Sequence, residues 1–185
     1  MRSAEEIREH VIVHLNSAMR RPDAYGGWAV VWSYEQTLTF IDKPDRRIEL
    51  VDGNARNPMG FVDKRVSDPE NSFYCALRIP HYHERDWFRP DAVLDPAVHK
   101  AFLDGLDLWL VDPRTRTEVL EVLGPPSWKH GDVIVYVTAD PADPTLVLAF
   151  HEDTVAVAWT SERRFPAGLR LTPAGKERLA SRPAS

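Results

Sequence analysis

Side chains able to do chemistry are concentrated in one short stretch near the middle of the sequence, Pro80-His81-Tyr82-His83-Glu84-Arg85-Asp86-Trp87. It holds two imidazoles separated by one residue, carboxylates on their C-terminal side and two aromatic rings. Such a group is typical either of half a metal site or of the edge of a binding pocket. Each interpretation requires a particular backbone, so the surrounding elements decide between them.

A metal site requires an extended backbone at the two histidines. On a strand, His81 and His83 project to the same side of the chain, as two ligands of one zinc or iron ion must. A catalytic site needs a third ligand, and His99, His130 and His151 are available without any spacing that selects one of them. The sequence therefore names His81 and His83 as candidate metal ligands, and a metal-dependent enzyme around them is the alternative function.

Other catalytic signatures do not occur in the sequence. It contains no glycine-rich phosphate loop, no nucleophile elbow and no paired-cysteine motif. No cofactor is expected from these patterns. A non-enzymatic function is therefore favoured over an enzymatic one.

Two helices are predicted in the first part of the chain. Ser3 and Glu6 have capping-box spacing, and apolar residues then recur every three or four positions until Pro22. This pattern predicts a helix over residues 4–20. A second helix is predicted over residues 28–42, after a glycine pair that allows the chain to turn, and the β-branched residues of this segment leave a strand as the alternative.

Short strands are predicted in the middle of the chain, between turns rich in proline, aspartate and asparagine. They cover residues 47–51, 61–66 and 73–79. In the last of them the apolar residues alternate, which places Cys75 on the buried face. A buried thiol lacks the exposure that a nucleophile needs, so Cys75 is predicted to be structural.

The second half begins with two predicted helices. Asp95 is a helix N-cap followed by proline at the first helical position, which predicts a helix over residues 95–110. A shorter helix covers residues 115–123 and is closed by Gly124-Pro125-Pro126. A final short helix is predicted over residues 173–181.

Three β-rich segments lie between these helices, at residues 132–138, 145–151 and 154–160. Their connections are so short that the strands must form an antiparallel meander. The fold class is therefore α+β, with an antiparallel sheet and helices packed on one face, in a single unit over residues 1–185. The first half repeats the order of two helices and three strands, which allows a division into residues 1–90 and 91–185 as two such units in tandem.

The second half also resembles a known module. The residues that carry the resemblance are Thr117-Glu118-Val119, Leu123-Gly124-Pro125-Pro126, the strand ending near Tyr136, and Leu146-Val147-Leu148-Ala149-Phe150-His151-Glu152-Asp153. Residues 95–160 resemble the helix-helix-meander module of β-lactamase inhibitor proteins and of small outer-membrane assembly lipoproteins. The resemblance implies two helices on one face of an antiparallel sheet, and protein binding without catalysis. The chain departs from those families because it shows no secretory signal, no lipidation cysteine and no disulfide pair.

Charge and hydropathy narrow the class of partner. The net charge is −5, but from Arg163 onward six basic residues face one glutamate, so residues 1–162 carry −10. An acidic body argues against binding the phosphate backbone of nucleic acids and suits a basic protein partner. No apolar run approaches the roughly 20 residues that a membrane span needs. With a single cysteine as well, a cytoplasmic protein is expected.

Aromatic residues supply the predicted contact surface. Trp87 and Trp128 lie in loop-like stretches beside polar neighbours, where tryptophan often anchors a protein interface. Tyr82 and Phe88 extend the first of these stretches. The sequence therefore predicts Tyr82, Phe88 and the two tryptophans as protein-binding residues of a non-enzymatic cytoplasmic protein. One form of this hypothesis is an immunity-type inhibitor whose acidic body neutralises a basic toxin.

Overall fold

The computed structural model describes residues 3–43, 70–162 and 165–180. The helices are α1 (Ala4–Arg20), α2 (Pro22–Tyr25), α3 (Trp28–Asp42), α4 (Glu70–Glu84), α5 (Pro96–Trp109), α6 (Arg116–Leu123) and α7 (Pro173–Ala180). The strands are β1 (Trp128–His130), β2 (Val133–Tyr136), β3 (Thr145–His151), β4 (Thr154–Glu162) and β5 (Phe165–Leu171). The predicted α+β class is confirmed.

Helix starts follow the predicted caps. In α1 the Ser3 hydroxyl accepts from the Glu6 amide at 3.1 Å, and the Glu6 carboxylate accepts from the Ser3 amide at 2.7 Å. Thr115 and Glu118 form the same reciprocal box at the start of α6. Asp95 accepts from two amides of the first turn of α5. Each cap satisfies amides that the helix itself leaves without partners, which fixes where the helix begins.

The five strands form one antiparallel sheet in the order β1-β2-β3-β4-β5. The predicted meander of three strands is confirmed as β2, β3 and β4. Strands β1 and β5 were not predicted, because β1 has only three residues and β5 contains Pro166 and Gly168, which are usually depleted in strands.

Helices cover both faces of the sheet, and not one face as predicted. On one face, here the α1/α3/α4 face, strand residues such as Val135, Val147 and Trp159 pack with α1, α3 and α4. On the other, the α5/α6 face, residues such as Tyr136 and Leu148 pack with α5 and α6. Residues 133–136 of β2 and 146–150 of β3 are all apolar, so both sides of these strands need a cover. Within the second half, α5 and α6 do lie together on one face.

Helix α4 replaces the strand that was predicted over residues 73–79. Its buried positions are spaced by three and four and include Cys75, Ala76, Ile79 and Tyr82. The alternating pattern shares Cys75 and Ile79 with this helical pattern, so both periods fit the sequence. The helix continues through Pro80. The predicted strands at 47–51 and 61–66 lie outside the described residues. Because residues 73–79 are helical, the third strand of the predicted N-terminal unit is not formed.

Candidate binding surface

All four residues predicted to contact a partner lie in the core on the α1/α3/α4 face. Tyr82, Trp87, Phe88 and Trp128 are buried. The prediction of an exposed aromatic edge is therefore wrong, because these rings pack inward while their polar neighbours remain at the surface. The Trp128 indole donates to the carbonyl of Met19 at 3.3 Å, as a buried indole requires.

Trp87 is held in place by a polar clamp that the sequence analysis missed. The Asn16 amide donates to the Trp87 carbonyl at 2.7 Å, and its oxygen accepts from the Arg89 amide at 2.8 Å. The Trp87 indole also donates to the Asp42 carboxylate at 2.9 Å. These bonds, here called the Asn16 clamp, fix the segment after α4 against α1. The signal in the sequence was an asparagine next to the apolar stripe of α1.

The two candidate metal ligands lie on a helix and therefore lack the extended backbone that a shared metal ion would require. Residues two apart on a helix point about 200° apart around its axis. His81 is buried, with Nε2 at 3.9 Å from the Glu35 carboxylate, whereas Nε2 of His83 donates to the Thr138 carbonyl at 3.0 Å. Burial lowers the pKa of His83. Among residues 3–43, 70–162 and 165–180, no three His, Cys, Asp or Glu side chains are grouped to hold a metal ion.

His81 belongs instead to a buried group of ionisable side chains between α3 and α4, here called the Glu35 cluster. Glu35 is buried, forms an ion pair with Arg78, and accepts from Arg78 Nε at 3.0 Å and from the Tyr82 hydroxyl at 2.8 Å. Burial raises the pKa of Tyr82 well above its ordinary value, so this hydroxyl stays protonated and keeps donating. The cluster therefore joins two helices inside the protein.

Cys75 is buried, as predicted, although it lies on α4 and not on a strand. Desolvation raises the pKa of its thiol to about 12. At neutral pH the group is a thiol and not the thiolate that attacks substrates. Cys75 therefore contributes to packing.

An exposed groove runs along α5 and is here called the α5 groove. It has a volume of about 500 Å³. Its lining residues are Ala101, Phe102, Gly105, Leu108, Trp109, Val111, Asp112 and Arg114. Leu108 is 80% exposed and Val111 is 61% exposed. The groove thus presents aliphatic surface to solvent at the C-terminal end of α5.

Gly105 opens this groove. Apart from its chain neighbours and the backbone of the helix itself, no heavy atom lies within 4 Å of the position that a Cβ atom would take there. A glycine inside a helix costs about 1 kcal/mol relative to alanine, so neither packing nor helix stability accounts for it. In α7, by contrast, a Cβ on Gly175 would overlap the carbonyl oxygen of Ala156, and packing requires that glycine.

The charges at the end of α5 are arranged with the carboxylates outermost. Asp107 pairs with Arg170, and the Asp112 carboxylate lies 3.4 Å from the Arg114 guanidinium. The aspartate side chains are 80% and 73% exposed, whereas their arginine partners are 28% and 24% exposed. Arg114 stacks over Trp109 and donates to its carbonyl at 2.8 Å. An approaching molecule therefore meets the negative member of each pair first.

A second groove, here called the α7 groove, adjoins the first and has a volume of about 550 Å³. Its lining residues are Asp107, Leu110, Val111, Leu169, Arg170, Leu171, Pro173 and Lys176. Val111 lines both grooves. The C-terminal end of α5 therefore lies between two neighbouring depressions.

Comparison with known proteins gives no family for this chain. No protein-family model matches it, and no curated protein or solved structure matches it either. The resemblance of residues 95–160 to an inhibitor-like module stays a prediction, although the order of two helices and a meander is present. No helix in the described part of the chain is long and apolar enough to cross a membrane.

Proposed function

We propose that this protein acts by binding another protein through the surface at the C-terminal end of α5, and that the contacting part of the partner is both basic and apolar. The observation that carries the proposal is the juxtaposition of exposed Leu108 and Val111 with the outward carboxylates of Asp107 and Asp112. The sequence also predicts a protein-binding function, but it predicts a different surface for the contact.

The exposed apolar side chains at the end of α5 support a binding role for this surface. Exposed apolar patches rimmed by polar residues are typical of interaction sites. Leu108 and Val111 together line a depression, so a partner can cover both side chains at once. Removing one such side chain from water contributes about 1.5–3 kcal/mol.

Charge supports a basic partner. The exposed carboxylates of Asp107 and Asp112 add to a net charge of −10 over residues 1–162. Such a field accelerates encounter with a positively charged protein and disfavours acidic competitors.

Several ionisable groups of the α1/α3/α4 face are buried away from solvent. Glu35 and Tyr82 are bonded to each other inside the core, and Cys75 is a buried thiol. His81 and His83 make contacts on different sides of α4. The metal-dependent alternative therefore receives no support from this arrangement.

A more specific form of the proposal is an immunity-type inhibitor in the cytoplasm. An inhibitor of this kind places its acidic surface over a basic site of a toxin and blocks it. The acidic and apolar end of α5 suits that role because a toxin that acts on a polyanion needs a basic site.

The first experiment isolates complexes of the tagged protein from its source cell after chemical cross-linking. We expect one basic protein in equimolar amount, with a Kd that rises about tenfold between about 50 and 300 mM salt. Charge removal in the double variant Asp107→Asn, Asp112→Asn weakens binding, whereas the matched double variant Glu121→Gln, Asp132→Asn does not. An acidic partner, a salt-independent Kd, or no partner at all would contradict the proposal.

The inhibitor role has a separate test. Expression of the isolated partner alone arrests growth, and co-expression of the wild-type protein restores it. Arrest that persists despite co-expression would contradict the inhibitor role while leaving protein binding intact.

A further inference from the structure

Resting on the proposed function, we infer that the α5 groove receives one large apolar side chain of the partner, carried on a segment that has a lysine or arginine next to it. The shape of the groove, the rigidity of its wall and the charges beside it favour this occupant.

The shape fits a single side chain with its adjoining backbone. A volume of about 500 Å³ lies in the lower part of the range for binding pockets, roughly 300–1,000 Å³. The missing side chain at Gly105 lets an inserted group reach the helix backbone, because nothing else lies within 4 Å of that position. Leu108, one turn further along, forms the apolar side of the same space.

The wall of the groove is held in place before any partner arrives. Phe102 and Trp109 pack edge to face, with ring centroids 5.0 Å apart. The Arg114 guanidinium lies 5.2 Å from the centroid of the Trp109 ring and is tied to its carbonyl. A wall fixed in this way loses little side-chain entropy on binding, which favours affinity.

A cation of the partner fits at the rim of the groove. The last turn of α5 contains no basic residue, and the cation at this end of the helix is Arg114, which donates to the Trp109 carbonyl and offsets the negative end of the dipole. Asp107 lies in that turn and Asp112 follows it, and both carboxylates are more exposed than their arginine partners. A lysine or arginine beside the inserted side chain would gain from these exposed carboxylates.

The α7 groove does not suit the same segment. Arg170 and Lys176 line it, and only Asp107 opposes them. Two cations against one carboxylate make the α7 groove less favourable for a basic segment than the α5 groove, where Asp112 faces Arg114 alone.

A random library of 12-residue peptides displayed on phage provides the probe. Panning on the wild-type protein should enrich peptides that carry a large apolar residue beside a lysine or arginine. For these peptides we expect Gly105→Trp, which fills the groove, to raise Kd at least about tenfold, the effect typical of a central interface contact. Gly105→Ala should change Kd by less than about twofold, since a methyl group leaves most of the space open.

Leu108→Asp and Val122→Asp form a matched pair that separates the groove from general surface hydrophobicity. Both side chains are exposed and aliphatic, but only Leu108 lines the groove. Leu108→Asp should weaken binding about tenfold, and Val122→Asp should leave it within about twofold. Thermal unfolding of every variant shows whether the protein is folded under the binding conditions.

Enrichment of acidic peptides, recovery of no binding peptide, or equal binding to wild type and Gly105→Trp would each overturn the inference. These results are distinct from failure of the proposed function, which is decided by the native complex. A basic native partner that binds Gly105→Trp as tightly as wild type would overturn this docking position and leave the function standing.

Discussion

The two faces of the sheet are covered by helices in different ways. On the α1/α3/α4 face, buried polar groups join the layers, through the Asn16 clamp and the Glu35 cluster. On the α5/α6 face the layers pack mainly through apolar side chains such as Leu106 and Val119, and His99 is a buried polar group of α5. Buried polar networks must be fully satisfied and therefore allow one arrangement, whereas apolar contacts are less directional. The first face is thus fixed internally, and the second carries the exposed surface that we propose for binding.

The largest expected effect is the loss of the Glu35 carboxylate. Glu35→Ala should lower the free energy of unfolding by about 3 kcal/mol, because Arg78 and the Tyr82 hydroxyl lose their buried acceptor. Arg78 is partly exposed, which keeps the loss near the lower limit for a broken buried pair. Urea unfolding monitored by circular dichroism measures it.

A double variant provides the control. Glu35→Met with Arg78→Met removes both charges and should recover most of the loss, since no unpaired charge remains. A loss below about 1 kcal/mol for Glu35→Ala would show that the cluster does not hold α3 and α4 together.

The two helical glycines sharpen the comparison because one substitution should have opposite signs. Gly175→Ala should destabilise the protein by about 2 kcal/mol, since the new methyl group overlaps the Ala156 carbonyl. Gly105→Ala should stabilise it by about 0.5–1 kcal/mol, because the site is open and alanine is the better helix former. The thermal midpoints of the two variants show whether each substitution stabilises or destabilises the protein. A change of the same sign in both would contradict the view that the position of Gly105 is open.

Acid should weaken the α5/α6 face through His99 of α5. This side chain is buried, and its Nε2 has no hydrogen-bond partner within the described structure. Burial lowers the pKa of His99, and the charge of Asp143 opposes this only in part. The unfolded chain then binds more protons than the folded protein, so stability is full above pH 6.5 and falls below it.

The slope per histidine is at most about 1.4 kcal/mol per pH unit. Unfolding at pH 7, 6 and 5 should show it, and His99→Leu should flatten the profile. His83, whose pKa is also lowered by burial, should account for what remains. If His83→Gln alone abolishes the pH dependence of the free energy of unfolding, the acid-sensitive group is His83 of α4 and not His99 of α5.

The smallest expected effect concerns an exposed ion pair on α5. Lys100 and Asp104 are one turn apart and both are largely exposed. Lys100→Ala should change the free energy of unfolding by about 0.3 kcal/mol, as expected for a solvated pair at this spacing. A loss above 1 kcal/mol would show that this exposed pair on α5 contributes more to stability than a solvated ion pair does.

Helix starts could be predicted because their causes lie within a few residues. Ser3 with Glu6, Thr115 with Glu118, and Asp95 with Pro96 act across at most three positions. The meander followed in the same way from apolar runs and short turns. Local patterns of this kind determine an element without any knowledge of the rest of the chain.

Helix α4 could not be predicted from its pattern alone. Cys75 and Ile79 belong both to an alternating series and to a helical one, and Pro80 favours an end at residue 79. The helical pattern is selected by contacts with other elements. The bond from Tyr82 to Glu35 joins residues 47 positions apart.

The contact surface predicted near Trp87 was wrong because residues far away in the sequence bury it. The sequence near Trp87 is polar and looks like a loop, yet the groups that bury it are Asn16 and Asp42, 71 and 45 residues away. The α5 groove left a weaker signal, a glycine inside a predicted helix and a leucine off its apolar stripe. Neither residue indicates a groove until the neighbouring elements are in place.

The edges of the sheet also affect how the protein behaves at high concentration. Strand β1 has three residues, and β5 contains Pro166, which has no amide hydrogen, and Gly168 at a left-handed φ of 59°. Pairing between sheets of two molecules needs a long, regular row of free amides and carbonyls. These edges are too short or too irregular to offer one, so they protect the protein against edge-to-edge aggregation.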